Sequence, residues 1–282
     1  MRVIETVADL KAVIRMQKKT GKSIGLVPTM GYLHEGHISL VKTSIHDNDF
    51  TIISVFVNPT QFGPNEDYSN YPRSIEKDSR MAAAAGADII FAPSAKEMYP
   101  EGYSTFVNVE GITEIMCGKS RPGHFRGVAT VVLKLLNIVE PDNAYFGQKD
   151  AQQVAVIKRM TKDLNMNSKI IVCPIVREQD GLALSSRNLY LNSEERKAAL
   201  VLSKSLFEVE NQIKNGERSK EKIIETIKRS ISEEKLANID YVTIVDADTL
   251  NEISRIDRKV LIALAVKIGG TRLIDNVIVE VH

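Results

Sequence analysis

Over the first 175 positions, short apolar runs alternate with stretches whose apolar residues recur at helical spacing. The runs at 23–27, 50–57, 88–91, 143–146 and 169–174 are apolar along most of their length, as strands buried on both faces require. Between them, apolar positions recur three and four apart over about 35–45, through Ile38, Leu40, Val41 and Ile45. The same spacing predicts helices over the alanine-rich 75–85, over 125–139 and over 151–164. Such alternation calls for a parallel sheet with helices on both faces, a Rossmann-like doubly wound α/β domain covering residues 1–175. Ligands on that architecture gather beyond the carboxyl ends of the strands.

The pattern changes after Arg187. Asn192-Ser193-Glu194-Glu195 is a capping signal that opens a charged amphipathic helix over 193–215, and a second helix is expected over 219–233. Strand-like runs follow at 239–245, 260–266 and 276–281, with Gly269-Gly270 as a turn. We expect a smaller C-terminal α+β domain here, residues 176–282, covering the active site. Its charged helices, including the lysine-rich stretch 214–222, read as solvated faces.

Composition narrows the function classes. A chain of 282 residues, 43% hydrophobic and 26% charged, suits a soluble globular protein of two domains. With 37 basic against 36 acidic residues there is no global field to hold a nucleic acid, so a polyanion must be met by a local cluster. No stretch approaches the ~18 uninterrupted apolar residues of a membrane span, and residues 1–10 lack a signal-peptide core, so a cytoplasmic protein without a membrane partner is expected. Cys117 and Cys173 are too few and too far apart for a metal framework; they read as reduced thiols or a single disulfide.

The chemistry-bearing residues cluster where predicted strands end. The first strand runs into Pro28-Thr29-Met30-Gly31 and then His34-Glu35-Gly36-His37, which sets two imidazoles on the expected first turn of a helix. Unpaired N–H groups and the helix dipole favour an anion there by ~0.3–1 kcal/mol, or up to ~2 when partly buried. Positions i and i+3 share a face, and Gly36 leaves room for a flat ring close to the backbone. A metalloprotease zinc site would need its second histidine where Ile38 stands. Three further exits carry Asn58-Pro59-Thr60-Gln61-Phe62-Gly63, Gly147-Gln148-Lys149-Asp150, and a stretch ending Leu184-Ser185-Ser186-Arg187. Turn-forming preference explains the Asn, Pro, Gly and Asp residues in them, but not Gln61, Lys149 or Arg187. The stretch Gly63-Pro64-Asn65-Glu66-Asp67 is a candidate mobile cover.

These motifs together resemble the pantothenate synthetase family of the nucleotidyltransferase superfamily, to whose His-x-Gly-His element His34-Glu35-Gly36-His37 corresponds. The likeness extends through Val57 to Phe62, Tyr71-Pro72-Arg73, Arg121-Pro122-Gly123-His124-Phe125, Phe146 to Asp150 with Gln152-Gln153, and Arg177 to Gly181 through Ser185 to Asn188. It implies ATP-dependent condensation of (R)-pantoate with β-alanine through a pantoyl adenylate, giving pantothenate, AMP and pyrophosphate. It also implies catalytic roles for His34, His37, Lys149 and Arg187. ATP binding falls to Met30, Gly31, Tyr32, Leu33, Glu35 and Gly36 with both histidines, to Gly147, Gln148, Lys149 and Asp150, and to Val176, Leu184, Ser185, Ser186 and Arg187. Gln61 and Gln153 hold pantoate by the same likeness, and Pro28, Met30, Val131 and Val132 are candidates for an apolar wall against its methyl groups. Magnesium enters as the counter-ion of ATP, with no protein ligand assigned, and a homodimer is expected. Tyr32 stands where many relatives have a small residue, and Lys77 where some have an acidic one. The rival within the superfamily is a nucleotidyltransferase that moves AMP onto a phosphate-bearing acceptor.

Overall fold

The computed structural model of the chain describes residues 1–64 and 66–281. Its elements run β1 (Arg2–Ile4), α1 (Val7–Lys19), β2 (Ile24–Thr29), α2 (Glu35–Asp47), β3 (Phe50–Val55), α3 (Ile75–Ala85) and β4 (Ile89–Phe91). Then come two short helices, α4 (Ala95–Met98) and α5 (Cys117–Ser120), followed by α6 (His124–Val139), β5 (Asn143–Gly147), α7 (Ala151–Asp163) and β6 (Lys169–Cys173). The remainder is α8 (Ser193–Ala198), α9 (Leu200–Lys214), α10 (Lys220–Ser232), β7 (Ala237–Asp246), β8 (Val260–Ile268) and β9 (Thr271–Val279). Contacts divide the chain into two units, the first Met1–Gln148 with Val156–Pro174, the second Lys149–Ala155 with Ile175–His282. The second unit therefore takes in a short segment, Lys149–Ala155, that precedes the rest of it in sequence.

In the first unit the strands lie in the order β1-β4-β3-β2-β5-β6, and every pairing is parallel. From β2 the chain builds outward to β3 and β4, then returns to the other side for β5 and β6. The winding thus reverses between β2 and β5, and a crevice forms beyond the carboxyl ends at such a reversal. Leu26, Ile52, Ile53 and Ile90 are fully buried in this sheet, each worth ~1.5–3 kcal/mol of burial. The opposite, amino-terminal edge is held by acids. The carboxylates of Asp49, Asp88 and Asp142, each one residue ahead of a strand, accept from the backbone N–H groups of Ser23 (3.0 Å), Thr51 (2.8 Å) and Ile24 (2.7 Å), on or just ahead of the neighbouring strand. They satisfy amides that the parallel ladder leaves unpaired there.

The second unit contains the antiparallel sheet β7-β8-β9, with β8 and β9 joined as a hairpin through Gly269 and Gly270. Leu202, Leu206, Ile223, Ile227, Ile262 and Leu264 form its core beneath α9 and α10. The parallel α/β class with a small α+β part agrees with the sequence expectation. Several elements differ from it. The helix expected over 193–215 is two, because α8 ends with Ala199 as its cap and α9 starts afresh at Leu200. The last strand begins at Thr271, not near Asn276, since the Gly269-Gly270 turn is tight enough for pairing to resume at once. β1 and α1 are not among the expected elements: β1 is a three-residue edge strand, while α1 buries Leu10 and Ile14 one helical turn apart. Both cysteines are buried and neither forms a disulfide. Among the described residues no helix is long and apolar enough to cross a membrane.

Candidate active site

The loop leaving β2 is built around one buried acid. Gly31 has φ +82, and a Cβ there would lie 2.8 Å from Val55 and 2.9 Å from Asp78, so both conformation and space demand glycine. Tyr32 follows with φ 51. The N–H groups of Tyr32 and Leu33 then donate to the two oxygens of Asp78 at 2.9 and 2.7 Å. Asp78 sits on α3 and is 1% exposed. Burial pushes its carboxyl above the ordinary range, with the two backbone bonds pulling the other way. Lys77 places its ammonium 3.7 Å from the centre of the Tyr32 ring, a cation–π contact.

His34 is not on the first turn of α2, as expected, but is its N-cap, with an extended backbone. Its Nδ1 accepts from the Gly36 N–H at 3.1 Å, while the Nδ1 of His37 accepts from the His34 N–H at 3.3 Å. The pair forms a capping box made of imidazoles, with ring centres 4.0 Å apart. A backbone N–H can only donate, so each neutral ring must carry its proton on Nε2. The two rings stand at the start of a helix, beyond the strand where the winding reverses, and a helix N-terminus favours anions through its free N–H groups and its dipole.

Gln61 ends a 3-10 turn, Pro59–Gln61, beyond β3. It is buried, and its side chain is oriented from both ends: Asn58 Nδ2 donates to its Oε1 at 3.1 Å, and its own Nε2 lies 3.1 Å from the sulfur of Met30. Asn58 also bonds the Gly127 carbonyl at 3.1 Å and accepts from the Tyr99 hydroxyl at 2.8 Å, where burial pushes the phenol up to about 12. Gly127, on α6, lets helix and turn touch, because a Cβ there would overlap the Thr60 carbonyl and sit 2.6 Å from the Gln61 nitrogen. The Gln61 carbonyl accepts from His124 Nδ1 at 2.8 Å, and His124 Nε2 lies 3.0 Å from Arg121. Since a guanidinium only donates, His124 is held neutral with its proton on Nδ1. Arg121 is in turn bidentate to Glu66, both contacts 2.6 Å. Burial alone would raise the Glu66 carboxyl, but Arg121 takes it below the usual value of 4.5. Of the stretch offered as a mobile cover, Asn65 lies outside the described residues and Glu66 is tied down by this pair. Val131 and Val132 are buried on α6, and Pro28 is half-buried near the end of β2.

In the second unit, Lys149 follows β5 in the 3-10 turn Gln148–Asp150, with its ammonium 4.0 Å from Asp150. Gln153 stands partly exposed in the first turn of α7, next to the buried Gln152. Residues 176–184 fold back on themselves: Leu184 N–H bonds the Val176 carbonyl at 3.0 Å, and Glu178 N–H bonds that of Leu182 at 2.8 Å. The chain then enters the 3-10 helix Ser186–Tyr190, capped by the Ser185 hydroxyl on the Arg187 N–H at 3.2 Å. Four supporting residues, Asp78, Asn58, Arg121 and His124, do not stand out in the sequence. Asp78 carries no local signal, Asn58 reads as a turn former, and the other two lie in a motif that gives them no role. Among the described residues no three His, Cys, Asp or Glu side chains gather to hold a metal ion.

Gly127→Ala is expected to force the Gln61 turn off α6 at a cost of ~1–3 kcal/mol, measured by urea unfolding. Glu66→Gln should destabilise the protein at pH 7 by on the order of 1 kcal/mol, allowing for partial solvent screening. Because the Glu66 pKa is lowered on folding, its contribution is present above the unfolded value of 4.5 and disappears as pH falls through the folded one. Unfolding curves of the two proteins should therefore converge as the pH is taken below 4.5 and through the lowered folded-state value; a gap that persists once both forms are protonated would remove the ion pair as its cause.

The sequence model of the family described as Pantoate-beta-alanine ligase matches residues 2–278. Pantothenate synthetases of Acetivibrio thermocellus and Caldicellulosiruptor saccharolyticus are 68% and 58% identical, in each case over 281 residues and 100% of both chains. The crystal structure of pantothenate synthetase from Thermus thermophilus superposes with a TM-score of 0.94 at 44% identity, covering 98% of this chain and 99% of that one. That of pantoate-beta-alanine ligase from Francisella tularensis, complexed with beta-gamma ATP and beta-alanine, gives 0.80 at 39% identity over 98% and 97%. With its family model, its relatives and its fold in agreement along almost the whole length, the chain belongs to the pantothenate synthetase, or pantoate–beta-alanine ligase, family.

Proposed function

We propose that the chain condenses (R)-pantoate with β-alanine at the expense of ATP, through a pantoyl adenylate. The observation that carries this is the imidazole pair, both rings oriented by backbone amides as Nε2–H donors beyond β2. In the first step a pantoate carboxylate oxygen attacks the α-phosphorus and pyrophosphate leaves. In the second the β-alanine amine attacks the acyl carbon, AMP leaves with the bonding pair, and the amine gives up a proton. The first step is chiefly alignment plus neutralisation of charge growing on the α-phosphate and on the leaving group. We assign that work to His34, His37, Lys149, Ser185, Ser186 and Arg187, with the backbone of Met30 to Leu33, Glu35, Gly36, Gly147, Gln148, Asp150, Val176 and Leu184 beside the nucleotide.

Gln61 and Gln153 suit the pantoate end. A full positive charge on the attacking carboxylate would blunt it, whereas a neutral amide orients it by hydrogen bonds alone. Asn58 holds the Gln61 amide in one sense, with its nitrogen toward Met30, and Pro28, Met30, Val131 and Val132 are our apolar wall for the methyl groups. With no carboxylate cluster among the described residues, magnesium is assigned to the phosphates of ATP and not to a protein cage. We take the enzyme to be a homodimer.

Incubation with ATP, pantoate and β-alanine should give pantothenate, AMP and pyrophosphate in equal amounts. Formation of ADP and orthophosphate would refute the proposal, and AMP retained on an acceptor would favour the nucleotidyltransferase. His37→Ala should keep the fold by circular dichroism and slow adenylate formation about 10²–10³-fold, the usual loss for one well-placed donor.

A further inference from the structure

Along β9 the side chains alternate between faces; Leu273, Val277 and Val279 enter the core of the second unit, and Asp275 falls on the same face by alternation. On the opposite face Arg272, Ile274 and Ile278 are partly exposed, yet Asn276 is only 2% exposed. What bonds it is the segment that begins at Lys149: Asn276 Nδ2 donates to the Lys149 carbonyl at 3.0 Å. That carbonyl belongs to a 3-10 turn between a strand and a helix, where no ladder or helix geometry guarantees it a partner.

The neighbouring residue makes a second attachment. Asp275 is 2% exposed and takes a bidentate pair from Arg177 at 2.6 and 2.8 Å, and Arg177 also reaches the Asn276 carbonyl at 3.4 Å and the Gly181 carbonyl at 3.0 Å. Arg177 opens the fold-back that delivers Ser185, Ser186 and Arg187, and β9 itself packs against the 3-10 helix Ser186–Tyr190. One dipeptide of β9 thus joins both donor-bearing segments of this unit.

We propose that Asn276 is a positioning residue for the first chemical step: through the Lys149 carbonyl it sets where the lysine side chain starts, and through the Asp275–Arg177 pair it keeps that origin in register with Ser185 to Arg187. This rests on the function proposed above. A lysine ammonium sits on a flexible four-carbon stem, so the backbone beneath it is what limits its reach, and a misplacement of about 1 Å in such a site can cost on the order of 100-fold in rate. Asparagine suits the position because it is short and donates. Aspartate has nearly the same shape but would set an acceptor against the carbonyl.

The test uses the full-length enzyme as Asn276→Asp, Asn276→Ser, Lys149→Ala and the Lys149→Ala/Asn276→Asp double variant, with single-turnover adenylate formation, steady-state kinetics and thermal unfolding. N276D should lower kcat and the adenylate rate about 10- to 100-fold, with KM for pantoate and β-alanine within about twofold. N276S, which keeps a donor, should recover part of the loss. In the Lys149→Ala background N276D should add less than about threefold, since its route to the chemistry is gone. A wild-type rate in N276D would overturn the proposal, as would losses that multiply in the double variant or a raised KM for pantoate at unchanged kcat. Should N276D not fold, a soluble N276S with an unaltered adenylate rate would overturn it equally. Wild-type protein that makes no pantothenate would overturn the functional reading itself, whereas an active wild type with indifferent Asn276 variants overturns only the role given to Asn276.

Discussion

Backbone groups that leave a parallel sheet at its carboxyl edge have no ladder partner, and each one buried without a bond costs ~1–3 kcal/mol. This chain meets the cost loop by loop with a short, buried polar side chain, distant in sequence for the loops after β2 and β5 and local for the turn after β3. Asp78 receives the amides of Tyr32 and Leu33, Asn58 organises the Gln61 turn, and Asn276 supplies the Lys149 carbonyl. Each of these is 1–2% exposed. The residues assigned to chemistry thus ride on loops whose backbone is held from beneath, which is what preorganisation requires when a reaction depends on alignment.

How much of this was legible in sequence follows from the range over which each interaction acts. Strands buried on both faces and helices with an apolar stripe write their period directly into the chain, so α3 was readable to the residue and α6 nearly so. The imidazole pair was equally visible, being local. Its geometry was not, because nothing in four residues says that His34 would cap α2 and stay outside it. The supporting residues were hidden for a different reason. Asp78 lies 45 residues from Leu33, and Asn276 lies 127 from Lys149, so their partners exist only once the sheets have formed. A lone acid on a helix, or an asparagine in an otherwise apolar strand, reads as surface until the fold buries it.

The two edges of the parallel sheet also differ in charge for a physical reason. At the amino edge the acids Asp49, Asp88 and Asp142 are consumed in bonding strand amides. At the carboxyl edge, Asp78 has both oxygens on backbone N–H groups and Glu66 is neutralised by Arg121. Asp78 and Glu66 are therefore committed to a loop and to a cation and do not stand as open negative charge, whereas Glu35 and Asp150 remain exposed.

The imidazoles set the last constraint. Protonating His34 or His37 at Nδ1 would place an N–H against the backbone N–H that now bonds there and would break the capping box. His124 is locked in the opposite tautomer by a carbonyl on one side and a guanidinium on the other. With Nδ1 so occupied, each capping histidine as a neutral ring has one N–H left to donate, at Nε2. Neutral donors give direction and little field, so the charge that a triphosphate demands must come from cations on other loops. In our reading those are Lys149 and Arg187, and this division of labour explains why the backbone beneath Lys149 needs an anchor as firm as the one beneath the histidines.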